Sequence, residues 1–368
     1  MNKKEPIRIL QMIPSFYYGG AQAMIVNLYK AIDRNKVQFD FVVDHTEYEG
    51  IKEVVESLGA KTYSVPAFNG FNLTKIREAW DELLTSHPEY KILHCHCRKY
   101  SSLFLPIVKK HGLKVIVHSH NTSNGNGFKS FIKNVLKYPL RNQADYFFAC
   151  SKEAGQWLFG NNIIDNKNFY VINNSIDTDK FVFSQGIRNK YRKEFKIKDE
   201  KVFIQVGRLT KQKNFLFTLD LFDEYLKKDN NAKLVIVGDG ELKEEIENRI
   251  NELNIKNNVI LLSYRNDVNC LLQMADYFLM PSLWEGLSVA AVEALASDIR
   301  CLMSDKVDRN VDITNKCEFI PLEINKWLEF MDEPICKRES NSNAIIKAGF
   351  DVKENAKWLQ EFYLNIVK

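Results

Sequence analysis

The most informative part of the sequence is Pro281-Ser-Leu-Trp-Glu-Gly-Leu-Ser-Val-Ala-Ala-Val-Glu-Ala-Leu-Ala-Ser297. An apolar run of strand character, Tyr277-Phe-Leu-Met280, ends directly before it. Gly286 allows a tight turn, Ser288 is a candidate N-cap, and residues 289–296 are good helix formers. The sequence therefore predicts a strand, a loop and a helix in succession.

Two glutamates stand out in this stretch. Glu285 lies in the predicted loop, and Glu293 lies inside the apolar part of the predicted helix. A buried carboxylate without a partner is costly, so a polar group should meet Glu293. Polyhydroxylated ligands fit, because an ionised glutamate accepts several hydrogen bonds. The alternative is that Glu293 faces solvent or pairs with a lysine.

The chain before this stretch alternates between strand and helix patterns. The apolar run at 7–13 is followed by the glycine pair Gly19-Gly20 and by a helix pattern at 21–32. A glycine pair between strand and helix lets backbone N–H groups approach an anion, although a plain tight turn explains it equally well. The repeated alternation predicts an α/β fold with a doubly wound parallel sheet.

Histidines follow two of the predicted strands. His94-Cys95-His96-Cys97 has the residue types of a zinc site. However, alternate side chains of a strand point to opposite faces, so these four cannot share one tetrahedral site. His96 can still line a ligand cleft. His118 and His120 end the next strand, and open α/β sheets bind ligands at the carboxyl ends of their strands. A structural edge histidine is the alternative.

The second half contains a basic loop. Arg208 and Lys213 lie between a strand pattern at 201–206 and a helix pattern that ends near residue 226. Two cations beside a helix N-terminus can form a diphosphate site. A solvated basic loop is the alternative.

A basic amphipathic helix is predicted at 128–141 and is interrupted by Pro139. Its basic residues recur every four positions: Lys129, Lys133, Lys137 and Arg141. Such helices can lie on an anionic membrane surface. The alternative is a surface helix of its own domain with solvated lysines.

Length and composition set the remaining expectations. The 368 residues suggest two domains. No apolar run of transmembrane length and no signal-peptide core is visible, and the seven scattered cysteines fit a reducing cytoplasm. No nucleic-acid motif is visible. A final helix at 353–366 should bury Trp358, Leu359, Phe362 and Tyr363.

The paired glutamates, together with Gly207-Arg208-Leu and the lysine five positions beyond the arginine, resemble the signatures of glycosyltransferase family 4. That family contains retaining GT-B enzymes, including those of bacterial capsule and exopolysaccharide synthesis. The resemblance implies two Rossmann-like domains that face each other across a cleft. Residues 1–178 would bind the acceptor and 179–351 the nucleotide sugar, with 352–368 packed back on the first domain. The chain departs from the family at 296–301, where the usual turn glycine and proline are absent.

The resemblance also implies roles for individual residues. His118, with His120 as its competitor, would contact the donor sugar near the reacting carbon. Glu285 would hold the sugar hydroxyls and Glu293 the ribose hydroxyls. His96 and His120 would lie on the acceptor side. The remaining nucleotide-sugar ligands would be Gly19, Gly20, Arg208, Lys213, Tyr264, Arg265, Gly286, Leu287 and Ser288.

The implied reaction is transfer of a hexose-type sugar from a nucleotide diphosphate sugar, expected to be a UDP-sugar. The catalytic residues would be His118, Arg208, Lys213 and Glu285, with no cofactor and no metal. The expected acceptor is a lipid-linked saccharide or an oligosaccharide, at the cytoplasmic face of the cell membrane. Rival interpretations are another GT-B enzyme, such as a sugar-nucleotide epimerase or a phosphorylase, and a catalytically silent subunit that binds membrane or partner enzymes.

Overall fold

The computed structural model describes residues 5–17, 20–46, 49–96, 100–120, 138–334, 337–338 and 342–367. The chain divides into two compact units. Unit 1 consists of Met1–Ser175 and Asp351–Lys368, and unit 2 of Ile176–Phe350. No helix of the described segments is long and apolar enough to cross a membrane.

Parallel strands and helices alternate along both units. The strands are β1 (Ile7–Ser15), β2 (Val37–His45), β3 (Thr62–Ser64), β4 (Ile92–Cys95), β5 (Lys114–Ser119), β6 (Tyr146–Ala149), β7 (Phe169–Val171), β8 (Val202–Val206), β9 (Lys233–Val237), β10 (Val259–Leu262), β11 (Tyr277–Met280), β12 (Arg300–Ser304) and β13 (Cys317–Ile320). The described α-helices are α1 (Gly20–Ala31), α2 (Lys52–Ser57), α3 (Leu73–Ser86), α4 (Leu105–Lys110), α5 (Leu140–Gln143), α6 (Lys152–Phe159), α7 (Gln185–Glu194), α8 (Phe215–Leu226), α9 (Lys243–Glu252), α10 (Val268–Met274), α11 (Val289–Ala296), α12 (Ile324–Met331), α13 (Ser342–Lys347) and α14 (Val352–Val367).

Unit 1 is built on a seven-stranded sheet in the order β3-β2-β1-β4-β5-β6-β7. Its core lies on both faces of the sheet. Ile9 and Ile13 pack in one apolar cluster with residues of α1 and α14, whereas Leu10 and Met12 pack in another with residues of α3. The strand order reverses between β1 and β4, and such a switch point is where open α/β sheets bind ligands.

Unit 2 is built on a six-stranded sheet in the order β10-β9-β8-β11-β12-β13. All of its strand pairs are parallel. The switch point lies between β8 and β11. The predicted doubly wound α/β architecture is therefore confirmed. Residues 277–297 form β11, a loop and α11, as predicted.

The final helix differs from its predicted burial at two residues. α14 belongs to unit 1 and buries Leu359 and Tyr363, but Trp358 is 40% exposed, so the expectation that it is buried was wrong. The Trp358 ring stacks on Phe362 with 5.3 Å between centroids, and Phe362 is itself only partly buried. Trp358 lies at the margin of the apolar stripe, where it covers neighbouring rings from the solvent side.

The turn between α11 and β12 keeps a left-handed residue although it has no glycine. Asp298 has a φ of 56°, a conformation that glycine adopts most easily. Its carboxylate is buried and forms an ion pair with Lys316. The absence of the usual glycine therefore leaves the left-handed turn intact, because an aspartate tolerates this region and the ion pair compensates its burial.

Candidate active site

Two loops of unit 2 are joined side by side at its switch point. One follows β8 at residues 207–214, and the other follows β11 at residues 281–288. Leu283 N donates to Gln212 O at 2.8 Å, the Gln212 amide donates to Trp284 O at 2.9 Å, and the Asn214 amide donates to Pro281 O at 3.1 Å. These bonds hold both predicted signature segments at one edge of the sheet.

Lys213 and Glu285 form an ion pair between these two loops, with each side chain only 15% exposed. The backbone on both sides of this pair is held in place. Gln205, buried on β8, donates from Nε2 to Lys213 O at 2.7 Å, and Asp308 N donates to Glu285 O at 3.0 Å. Arg208 is exposed, and its guanidinium has no ion pair or hydrogen bond within the described part of the chain. Within the described residues, Lys213 is therefore a paired cation of this site and Arg208 an unpaired one.

Glycines allow the loops after β8 and β9 to touch. A Cβ atom on Gly238 would lie 1.9 Å from Gly207 O, and one on Gly240 would lie 2.5 Å from Leu209 O. A Cβ atom on Gly207 would meet Lys213 Cε at 3.3 Å. The glycine between β8 and Arg208 therefore lets the Lys213 side chain lie along the backbone.

Glu293 lies in α11, with its side chain partly accessible. The described residues give its carboxyl group neither a hydrogen bond nor an ion pair. Burial without a compensating charge raises the pKa of Glu293 to about 7. The lysine pairing considered from the sequence is therefore not formed in the described structure, and the carboxyl group is open to a polar ligand.

The other predicted ligands of unit 2 differ in their surroundings. Gly286 is exposed, with no atom within 4 Å of a Cβ placed on it, and Leu287 packs against the apolar core. Ser288 stands at the N-cap position of α11, but its hydroxyl makes no capping hydrogen bond there.

Tyr264 is 54% exposed, and Arg265 forms an ion pair of 2.6 Å with Asp267. The structure does not bring these last two residues together with Lys213 and Glu285 by any described hydrogen bond.

In unit 1, the histidines gather beside the switch point. His94 and His96 lie on the same face at the end of β4, and His118 and His120 end β5. His94 Nε2 lies 3.2 Å from His118 Nδ1, and His96 Nδ1 lies 2.7 Å from His120 Nε2. Cys95 points to the opposite face of the sheet, where it belongs to the apolar cluster that contains Leu10 and Met12. The alternation expected for a strand thus separates Cys95 from the histidines.

Burial lowers the pKa of His94, His96 and His118 well below the usual value for histidine, and the neighbouring imidazoles add to this effect. These three rings are therefore neutral at physiological pH. One nitrogen from each lies within 4.8 Å of the others, a spacing that could collect a metal ion. Hydrogen bonds already engage nitrogen atoms of all three rings, and no carboxylate belongs to the group.

Three members of this cluster were not among the predicted site residues: Gln11, Tyr363 and His94, which the sequence suggested only for the rejected zinc site. Gln11 is 1% exposed on β1, and its Oε1 lies 2.9 Å from His96 Nε2. The hydroxyl of Tyr363 on α14 lies 2.6 Å from His94 Nδ1. The sequence feature that could have identified Gln11 is its position as a lone glutamine inside the apolar run at 7–13. Nothing in the local sequence connects Tyr363 with the histidines.

Gly19, Lys129, Lys133 and Lys137 lie outside the described residues. Gly20 begins α1 and has open space around its Cα. Arg141 lies in the short helix α5 after Pro139, and its guanidinium carbon is 4.8 Å from the centre of the Tyr138 ring.

Both parts of the chain match known protein families. Residues 18–180 match the profile described as Glycosyltransferase Family 4, and residues 187–318 match that of Glycosyl transferases group 1. The chain belongs to glycosyltransferase family 4. Its two parallel α/β units are those of the GT-B fold shared by solved structures of such enzymes.

Relatives of this family 4 chain cover most of its length. It is 29% identical to EpsF of Bacillus subtilis (strain 168), whose own assignment as a glycosyltransferase is provisional, over 97% of this chain and 96% of EpsF. It is 26% identical to the Escherichia coli UDP-Gal:alpha-D-GlcNAc-diphosphoundecaprenol alpha-1,3-galactosyltransferase, over 77% of this chain and 78% of that enzyme. The crystal structure of Anabaena HepE with UDP matches with a TM-score of 0.79 at 17% identity, covering 97% of this chain and 100% of HepE, which supports the fold.

Proposed function

We propose that this family 4 glycosyltransferase moves a hexose-type sugar, with retention of anomeric configuration, from a UDP-sugar to a lipid-linked saccharide acceptor in bacterial surface-polysaccharide synthesis. The observation that carries the proposal is the joining of the Arg208–Lys213 loop to the Glu285–Glu293 segment at the switch point of unit 2. Cations, carboxylates and two helix starts meet there. This combination suits a ligand with a diphosphate and many hydroxyl groups.

Arg208 and Lys213 would hold the diphosphate. The free guanidinium of Arg208 can bind phosphate oxygens without first breaking another ion pair in the described structure. Lys213 would turn from Glu285 to the diphosphate, or bind both. α8 and α11 begin in these loops, so their N-terminal N–H groups would add partial positive charge. These groups would stabilise the charge that develops on the departing UDP.

The glutamates would bind hydroxyl groups. Glu293 has an unpaired carboxyl group on α11, and the ribose hydroxyls would supply the polar partner that the protein does not provide. Glu285 would accept hydrogen bonds from hydroxyls of the transferred sugar, while its ion pair with Lys213 links sugar position to diphosphate position. His118 would contact the transferred sugar near its reacting carbon, as the family resemblance implies.

The proposed chemistry is a front-face substitution. The bond between the anomeric carbon and the β-phosphate oxygen breaks, and a bond from the acceptor oxygen to the same face of that carbon forms. The proton of the acceptor hydroxyl passes to the leaving phosphate oxygen. Arg208 and Lys213 carry positive charge near the diphosphate, so we propose that transfer needs no divalent metal.

The acceptor proposal rests on relatives and on charge. The name of the Escherichia coli relative specifies a sugar linked to diphosphoundecaprenol as its acceptor. Residues 128–141 carry the basic stripe described above, which we propose rests on the anionic inner face of the cell membrane. A lipid-linked acceptor would be presented at that surface.

The direct test is turnover of a panel of UDP- and GDP-sugars, measured as nucleotide release with and without short lipid-linked acceptors. The product's anomeric configuration would be read by NMR. Lys213→Ala should abolish most of the activity, and Lys211→Ala, which changes an exposed lysine in the same loop, should not. Absence of both nucleotide binding and release across the panel would indicate a silent subunit instead. An inverted product would contradict retention.

A further inference from the structure

Gln11 occupies the centre of a hydrogen-bonded network that reaches all four clustered histidines. Its amide is buried on β1, in register with His94 on the neighbouring β4. Gln11 Nε2 donates to the Tyr363 hydroxyl at 3.3 Å, and Gln11 Oε1 faces His96 Nε2 at 2.9 Å. The amide nitrogen is a hydrogen-bond donor and the amide oxygen is an acceptor. Gln11 therefore starts two branches of the network, one as a donor to Tyr363 and one as an acceptor from His96.

The first branch runs from Gln11 through Tyr363 to His118. Because the Tyr363 oxygen accepts a hydrogen bond from Gln11, its own proton is directed to His94 Nδ1, 2.6 Å away. A neutral imidazole carries a single N–H, so His94 bears it on Nε2 and donates to His118 Nδ1 at 3.2 Å. His118 must then carry its own proton on Nε2.

The second branch runs from Gln11 through His96 to His120. Gln11 Oε1 is an acceptor, so His96 donates from Nε2 and leaves Nδ1 to accept. His120 therefore donates from Nε2 across the 2.7 Å contact. The direction of every proton in both branches follows from the orientation of one buried amide.

The first branch ends at the buried Nε2–H group of His118. His118 is 1% exposed, and its Nε2 has no hydrogen-bond partner among the residues that the structure describes. Burial lowers the pKa of His94 and His118 and raises that of Tyr363, so these groups stay neutral at physiological pH. Each proton therefore stays on the atom that the hydrogen bonds assign to it. The Phe148 ring meets His94 and His118 edge-on and holds both imidazole planes.

We propose that Gln11 and Tyr363 are positioning residues that act through His94 to fix His118 as the Nε2–H tautomer, a neutral donor for an oxygen atom of the transferred sugar. In this tautomer the only His118 lone pair, on Nδ1, is taken by His94. His118 then acts by donating a hydrogen bond and not by offering a lone pair to the positive sugar carbon. This role rests on the proposed function, whereas the tautomer itself does not.

The tautomer is tested in the unliganded protein by NMR of ¹⁵N-labelled histidine. His118 should show a protonated Nε2 and a bare Nδ1. Tyr363→Phe removes the proton relay but keeps the ring, so the His118 signals should move to a mixture of tautomers. Tyr146→Phe, which removes a hydroxyl outside the network from a ring that also packs on α14, should leave them unchanged.

Kinetics give the second measurement. Tyr363→Phe and Gln11→Met should lower the turnover of sugar transfer by about 10- to 100-fold, the loss usual when the hydrogen-bond partners that orient metal-bound imidazoles are mutated. UDP affinity should stay within about threefold of the unmodified protein. If the enzyme transfers no sugar, the proposed function fails, while the NMR result still decides the tautomer.

Three results would overturn the inference. The first is a His118 that carries its proton on Nδ1. The second is a Tyr363→Phe variant that retains both the tautomer and full turnover. The third is one zinc ion per chain in the purified protein, bound to His94, His96 and His118. A metal would take the imidazole lone pairs that accept hydrogen bonds in the proposed network.

Discussion

Lys213 and Glu285 form an ion pair that links the loop after β8 to the loop after β11. Both side chains are largely screened from solvent, so the loss of one would leave the other charge poorly compensated. A bound diphosphate would offer Lys213 a second anion. The pair thus provides a physical connection between the segment proposed to hold the diphosphate and the residue proposed to hold the sugar.

We expect Glu285→Gln to separate nucleotide binding from transfer. The change removes a competitor for Lys213, so UDP affinity should stay within about threefold of the unmodified protein or become tighter. Transfer should fall by about tenfold or more, because the sugar loses a positioning carboxylate. Calorimetry with UDP and turnover with the sugar nucleotide measure the two effects. Glu329→Gln, on the exposed side of α12, is the control, and a large loss of UDP affinity in Glu285→Gln would contradict the assigned role.

Glu293→Gln should weaken binding of free UDP by roughly 1–3 kcal/mol, or about 5- to 150-fold, because a hydrogen bond to a charged group is lost. The pKa of Glu293 near 7 adds a second signature. Ribose hydroxyls favour the ionised carboxylate, so UDP binding near neutral pH should release a fraction of a proton. Calorimetry in buffers of different ionisation enthalpy detects that release. Unchanged affinity and unchanged proton release in Glu293→Gln would place the ribose elsewhere.

Transfer should survive EDTA. Arg208 and Lys213 would supply the positive charge that a divalent ion otherwise brings to a diphosphate. The measurement is turnover after exhaustive chelation, with and without added magnesium or manganese. Activity that disappears with EDTA and returns with a metal would show that the diphosphate is held in another way.

Binding to anionic vesicles should depend on the basic stripe at 128–141. Each basic residue near such a surface contributes about 1 kcal/mol, and salt screens this attraction. Changing Lys129, Lys133 and Lys137 to glutamine should therefore reduce co-sedimentation with anionic liposomes, as should added salt. Equal binding to neutral vesicles would refute an electrostatic contact.

Stability should fall as the pH drops below about 6.5, the ordinary pKa of histidine. His94, His96 and His118 have folded-state pKa values below the unfolded value, so their contribution is present above the unfolded pKa and is lost as the pH falls. Glu293 has the opposite sign, because its folded pKa of about 7 lies above its unfolded value. Its contribution is present at low pH and is lost as the pH rises through 7.

Urea unfolding in the Glu293→Gln background isolates the histidine effect. Each buried histidine can contribute up to about 1.4 kcal/mol per pH unit below its unfolded pKa. His94→Gln should reduce the slope. A midpoint that does not change between neutral and mildly acidic pH would mean that these rings are protonated in the folded state.

Local sequence patterns encode the alternation of strands and helices and the residues at the ends of the strands. Periodicity and turn chemistry are local properties, so the α/β architecture could be predicted, as could the loops carrying Arg208, Lys213 and Glu285. The tight turn at Asp298 was less predictable, because an ion pair with Lys316 accompanies the conformation that glycine usually provides.

Which of these residues are in contact depends on the packing of distant parts of the chain. Parallel strands that are neighbours in a sheet are far apart in the chain, and a helix from the end of the chain can pack on a strand from its beginning. Gln11 and Tyr363 are separated by 352 positions, yet their side chains are hydrogen-bonded beside the histidines. The sequence named His96, His118 and His120 as candidates, but the direction of the histidine protons follows from that long-range contact, which no local pattern encodes.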